Sequence, residues 1–233
     1  MGGDTEKARV KFLEKIGDIE VWEVDGAYIR TEINPDFTNF GQHLQFKFIP
    51  SNEFWLDKEK RPDERIFFIH HLLVEHRLMQ AGASHEEAIE KADKVEMRER
   101  SKILHIEKAE PHERAGGDIL KKIHMRKWDE YGGKNITVWI VDGAVVRTAY
   151  FPDFTEGGHD LVFKFIPDGE VWIDNDLLPK ERPYVLLHEV VERQKMAEGM
   201  GYVKAHYDFA LKAEYEARHH PETLERRLKD YLT

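Results

Sequence analysis

The chain of 233 residues contains no cysteine. That absence excludes disulfides, thiolate nucleophiles, iron–sulfur clusters and cysteine-ligated zinc, so any metal site has to be built from His, Asp and Glu. There is also no run of about 18 apolar residues, the length that a membrane-crossing helix needs. The opening Met1-Gly2-Gly3-Asp4-Thr5-Glu6-Lys7 lacks the apolar core of a secretion signal, and a cytoplasmic location without membrane contact is expected. Positive charge is in deficit: 35 Lys and Arg face 45 Asp and Glu, for a net charge of -10. A surface of that sign repels phosphate backbones, so no nucleic-acid partner is expected. No Gly-rich phosphate loop, nucleophile elbow or dinucleotide fingerprint occurs, which removes support for transferase and oxidoreductase chemistry. What remains is an ordinary globular composition, 41% hydrophobic and 34% charged, long enough for two modest domains.

The chain repeats itself. A shift of 117 residues lays Val21–Gly82 over Val138–Gly199 without a gap, with 30 of 62 pairs identical. WEVDGAYIRT matches WIVDGAVVRT, PDFT matches PDFT, LQFKFIP matches LVFKFIP and EFWLD matches EVWID. The register continues to about Glu99 and Glu216, so the unit is about 80 to 90 residues, close to the lower size of an independent domain. Duplication and fusion of one domain is the natural explanation. Residues 1–103 are then the first unit, 104–131 a linker and helix, and 132–233 the second unit with a C-terminal helix.

Within each unit, Asp25-Gly26 and Asp142-Gly143 lie between β-branched and aromatic runs and predict hairpin turns. The alternating segments 43–50 and 160–167, followed by 53–57 and 170–174, predict a second hairpin. Apolar residues then recur at helical spacing (Phe67, Leu72, Val74 and Leu78; Tyr184, Leu187, Val191 and Met196) up to Gly82 and Gly199. Ser84 with Glu87 forms a capping-box pattern that opens another helix, whose counterpart runs over about 201–218. The expected unit is ββββαα, an α+β domain with an antiparallel four-stranded sheet, in tandem and related by a pseudo-twofold axis. Residues 101–117, with Pro111 and Gly116-Gly117, predict the connection, followed by an amphipathic helix over 119–131. The segment 221–232, with Leu224, Leu228 and Leu232 on one stripe, predicts a last helix. Trp22, Trp55, Trp139 and Trp172 recur at paired positions and are expected to pack on sheet faces. The basic stretch Lys121–Lys127 reads as the wet face of a helix.

One constellation suggests chemistry. His188-Glu189-Val190-Val191-Glu192 lies within a predicted helix, where residues four apart share a face. His188 and Glu192 can therefore converge on one ion, while Glu189, about 100° round, can face a water. The next helix offers His206 as a third ligand, among Ala205, Ala210, Ala213 and Ala217, which permit close helix approach. Zinc takes three such N and O ligands and keeps a position for water, with Glu189 as the expected general base. The loop Glu156-Gly157-Gly158-His159-Asp160 adds His159 as an additional ligand or substrate contact.

This arrangement resembles the zincin metallopeptidases, in which an HExxH helix lies against a sheet and a later helix supplies the third ligand. The resemblance covers only the segment from about His188 to His206, and HExxE stands here where that family has HExxH. It implies His188 and Glu192 as first and second ligands, Glu189 as catalytic base, His206 as third ligand, zinc as cofactor, and a peptide or amide bond as substrate.

The repeat sets limits on that chemistry. His71 and Glu75 match His188 and Glu192, but Leu72 stands for Glu189, Ile89 for His206 and Gln42 for His159. The first copy thus loses the proposed base and third ligand. A purely structural His–Glu pair retained in both copies accounts for the same pattern, as does a cluster of His71, Glu75, His188 and Glu192 across an interface. Arg30 and Arg147, near Asp36 and Asp153, read as structural Arg–Asp pairs or turn-closing aspartates. Two functions follow: a metal-dependent hydrolase with its site in the second unit, or a noncatalytic, pseudo-dimeric interaction protein with a protein or peptide partner.

Overall fold

Asp25 and Asp142 start helices and do not turn hairpins. In the structure, a computed structural model describing residues 4–109, 112–133 and 135–232, their carboxylates accept the backbone N–H of Tyr28 (3.1 Å) and Val145 (3.3 Å). Aspartate caps a helix as readily as it opens a tight turn, because both use its short side chain as an acceptor for a backbone N–H. Pro111, part of the expected connection, lies outside the described residues, as do Met1–Gly3.

After a short helix α1 (Thr5–Ala8), the first unit runs β1 (Arg9–Ile16), β2 (Ile19–Val24), α2 (Gly26–Glu32), β3 (Phe40–Gln42), β4 (Glu53–Asp57), α3 (Arg65–Gln80) and α4 (His85–Leu104). The second repeats it with α5 (Gly117–Ile123), β5 (His124–Lys127), β6 (Thr137–Val141), α6 (Gly143–Ala149), β7 (Gly157–His159), β8 (Glu170–Asp174) and α7 (Arg182–Ala197). There follow α8 (Tyr202–Ala205), a π turn (His206–Ala210), α9 (Leu211–His219) and α10 (Leu224–Leu232). The unit is thus ββαββαα, not ββββαα. It is α+β as expected, but each sheet is mixed: in the order β1-β2-β4-β3, β2 and β4 are parallel while the edge pairs are antiparallel, and β5-β6-β8-β7 repeats the pattern. Between β2 and β4 the chain passes through α2 and returns along β3, which runs opposite to β4, so β4 can start level with β2 as a parallel neighbour requires.

Segments 43–50 and 160–167 are turns, not strands. Their alternating apolar residues build small aromatic clusters, with Phe37 and Phe46 centroids 5.6 Å apart and Phe163 and Phe165 5.2 Å apart. The helix expected over 119–131 stops at Ile123, and the chain continues as β5 beside β6, with Arg126 opposite Ile140. Lys121–Lys127 therefore straddles a helix end and an edge strand, with Lys121, Lys122, Arg126 and Lys127 exposed.

The described chain divides into two compact units: residues up to Lys108 with Phe151–Asp153, and Ala109–Tyr150 with Phe154 onward. In both, the tryptophans of the central strands are register partners, Trp22 with Trp55 and Trp139 with Trp172, and Trp55 and Trp172 are fully buried. In both, a buried arginine on the short helix meets the last residue of the central strand: Arg30–Asp57 at 2.9 Å and Arg147–Asp174 at 2.6 Å. A Cβ on Gly26 or Gly143 would sit 1.8 Å or 2.4 Å from that same carboxylate, so only glycine allows the helix start to close over it. In the second unit α7 and α9 cover the sheet, with Val185, Leu186, Val190, Val191, Ala210 and Ala217 in one core with Val171 and Ile173. Leu224 and Leu228 of α10 join this core, as their spacing predicts. The long helices end at Gly82 (φ 94°) and Gly199 (φ 92°), and α4 begins with the complete Ser84–Glu87 capping box. No described helix is long and apolar enough to cross a membrane.

Candidate metal centre in the second unit

Residues four apart on α7 and one on the facing π turn come together. His188 Nε2 lies 3.1 Å from His206 Nδ1 and 3.7 Å from Glu192 Oε2, and His206 Nδ1 is 2.8 Å from that oxygen. All three predicted ligands therefore present an atom to one small volume, each within 4.8 Å of the others. Ligands at about 2.0–2.1 Å from a tetrahedral zinc stand about 3.3–3.5 Å apart. The observed triangle brackets that spacing, so the donor set fits such an ion.

Neighbouring groups fix the donors. His188 Nδ1 lies 2.9 Å from Glu214 Oε2, a contact that holds the ring with Nε2 turned to the cluster. Glu214 is itself held by Arg218 (2.8–2.9 Å), which also binds Glu181 at 2.6 Å. His159, the additional candidate, takes a supporting position. Its Nδ1 accepts the Leu161 N–H (3.2 Å) and its Nε2 lies 3.0 Å from Glu192 Oε1, so it donates to one carboxylate oxygen and leaves Oε2 for the cluster. Arg193 grips Asp160 at 2.6 and 3.0 Å, and Asp160 accepts the Gly169 N–H, pinning the loop that carries His159.

Glu189 lies among His159, Glu192 and Gly157: its Oε1 would stand 3.1 Å from a Cβ on Gly157. Burial, with the neighbouring Glu192 carboxylate, raises its pKa to about 8. Glu192 goes the other way. Burial opposes its ionisation, but hydrogen bonds from His159, His188 and His206 outweigh it and hold the carboxyl well below the usual range. His188 is buried too, yet Glu192 and Glu214 keep its pKa well above that of a free imidazole. The two adjacent carboxyls are thus driven apart: Glu192 is held anionic, while Glu189 can carry a proton near neutrality.

The first unit assembles the same frame differently. His71 Nδ1 contacts Glu96 Oε2 at 2.9 Å, and Arg100 pairs with Glu96 at 2.7 Å and with Glu64. Gln42 Nε2 donates to Glu75 Oε1 at 2.7 Å where His159 serves Glu192, and Leu72 is buried where Glu189 stands. His71 Nδ1, Asp93 and Glu96 form another close group, on the Nδ1 side of the imidazole and not the Nε2 side used in the second unit. Glu214, Arg218, Glu181, Arg193 and Asp160 are the residues that sequence reasoning missed. Repetition of Glu96 and Arg100 as Glu214 and Arg218 was the available signal, and a one-residue gap in the repeat hides it.

Comparison of the chain with protein-family models, curated proteins and solved structures finds no match.

Proposed function

We propose that the second unit is a metal-dependent hydrolase domain that holds zinc through His188 Nε2, Glu192 Oε2 and His206 Nδ1 and acts on a peptide or amide bond. The observation that carries this reading is the convergence of three ligating atoms from two elements, with Glu214 orienting the first. A zinc ion so held would supply Lewis acidity and lower the pKa of a water at the site. Glu189, close to Glu192 and His159, would take a proton from a water at the site and return it to a leaving amine. Glu192 is fixed as an anion by His159 and offers one oxygen. A shallow hollow of about 550 Å³ lined by Gly201, Tyr202, Val203, Lys204, Tyr207 and Asp208 adjoins His206, whose ring lies 4.7 Å from that of Tyr207. Exposed Tyr202, Val203 and Tyr207 there suit an apolar peptide side chain. The same patch supports a second reading, a peptide-binding module without turnover.

Metal analysis of the protein purified without an affinity tag tests the first reading. One equivalent of zinc, lost in His188→Ala, is the expected result. A folded, metal-free protein that takes up no added zinc overturns it.

A further inference from the structure

The two helix pairs keep one ion network in two registers. His71, Glu75 and Glu64 correspond to His188, Glu192 and Glu181 at an offset of 117, whereas Glu96 and Arg100 correspond to Glu214 and Arg218 at 118. The ion pairs agree with this correspondence: Arg100 joins Glu64 to Glu96 as Arg218 joins Glu181 to Glu214. The second unit has therefore one residue more between these points, which corrects the ungapped register expected to Glu216. Fully buried alanines locate it. Ala88 and Ala92 are four apart on α4, while Ala205 and Ala210 are five apart. The stretch between the latter pair is the π turn, where the Leu211 N–H donates to the carbonyl of His206, five residues back.

Straight α-helix turns about 100° per residue, so an added residue would swing Glu214 and Arg218 off the face that meets α7. Absorbing the residue within one π turn keeps them on it. Such a turn is rare inside α-helices and is frequent at functional sites. Here it adds little buried surface, since Tyr207 and Asp208 are exposed. What it carries at its first position is His206, whose counterpart Ile89 sits in plain α-helix.

We infer that this one-residue insertion is the positioning device of the metal centre: the widened turn sets His206 Nδ1 against Glu192 and His188. The inference rests on the metal reading above, and its test separates the two. Deletion of Asp208 restores the four-residue alanine spacing, and Asp208→Ala is the control that leaves the register alone. The deletion is expected to weaken zinc binding by about 10-fold or more with folding retained, since losing even a supporting group costs about 10–100-fold. In metal-free protein, NMR should find the His188 and His206 rings adjacent in Asp208→Ala and separated in the deletion variant. Should wild type bind no zinc, the metal reading falls alone, and the proximity of these rings still decides the inference. The reciprocal change covers the case of a deletion that does not fold. Ile89→His with one alanine inserted after Glu90 should add a second zinc equivalent through His71 and Glu75, whereas Ile89→His alone should not. Wild-type zinc affinity or adjacent rings in the deletion variant, or a second equivalent from Ile89→His alone, overturns the inference.

Discussion

His71 and His188 sit at matching positions on matching helices, each with a carboxylate four residues on and another holding Nδ1. Their surroundings have diverged. On the Nε2 side of His71 stand Glu75 at 3.5 Å and, against that carboxylate, Gln42 at 2.7 Å and His85 at 3.6 Å, with Leu72 at the position of Glu189, and the imidazole carries a proton among carboxylates. Around His188 the same side holds Glu189, His159 and His206. The lesson is that an inherited charge network, with a raised imidazole pKa in both copies, can be kept while the groups around it are exchanged. A shared His-x-x-x-Glu therefore says little about function; the residues that differ say more.

That contrast can be broken most severely at the proposed base. Glu189→Gln should retain zinc and lose about 10²–10⁴-fold in turnover of a susceptible peptide or amide, measured as kcat. Leu72→Ala, at the matching site, should leave kcat unchanged in protein that remains folded. Equal loss in both would remove the asymmetry. Next, Glu214→Gln should lower zinc affinity by about 10–100-fold in a competition titration, because it loosens the His188 tautomer. Glu96→Gln should leave zinc affinity at its wild-type value and show itself only in stability.

The pH dependence of the first unit sharpens the comparison on stability. Burial disfavours the charged His71, but Glu75 and Glu96 outweigh it and raise its pKa to about 10 from 6.5. A raised folded-state pKa means that this contribution is complete below pH 6.5 and fades as pH climbs through about 10. Urea denaturation from pH 6 to 10 should show a decline on the order of a few kcal/mol that His71→Gln flattens. A parallel decline in both proteins would assign the effect elsewhere. The smallest expected effect is at the helix starts. Ser84→Ala should cost about 1 kcal/mol by thermal or urea melting through loss of the capping box, while the second unit begins α8 at Gly201 with no side-chain cap to lose.

Much of this organisation was legible in the amino-acid order. The duplication, the glycine-ended helices, the capping box and the C-terminal leucine stripe follow from local pattern, and the trio His188, Glu192 and His206 from helical spacing. The sheets were harder. Asp-Gly signals a turn and a helix cap alike, and Ala-Tyr-Ile-Arg-Thr reads as strand until tertiary packing makes it α2. The parallel pairing of β2 with β4 joins segments about thirty residues apart, and no short-range periodicity encodes it. Phe46 and Phe48 alternate as a strand would because one aromatic cluster with Phe37 and Trp55 takes both, not a ladder. The supports of the site, Glu214 and Arg218, stayed hidden because an ungapped alignment slides past them by one residue.

Gly26 and Gly143 have a consequence for mutational surveys. Each lets a helix start lie against a buried aspartate where any side chain would collide. A saturation screen scored on growth or signal would rank these glycines as intolerant as Glu189, yet they touch no proposed ligand. Paired readouts separate them. Substitutions at either glycine should lower soluble yield and catalytic output in proportion, whereas Glu189→Gln should lower output at full yield. In this chain the most intolerant positions and the most informative ones need not coincide.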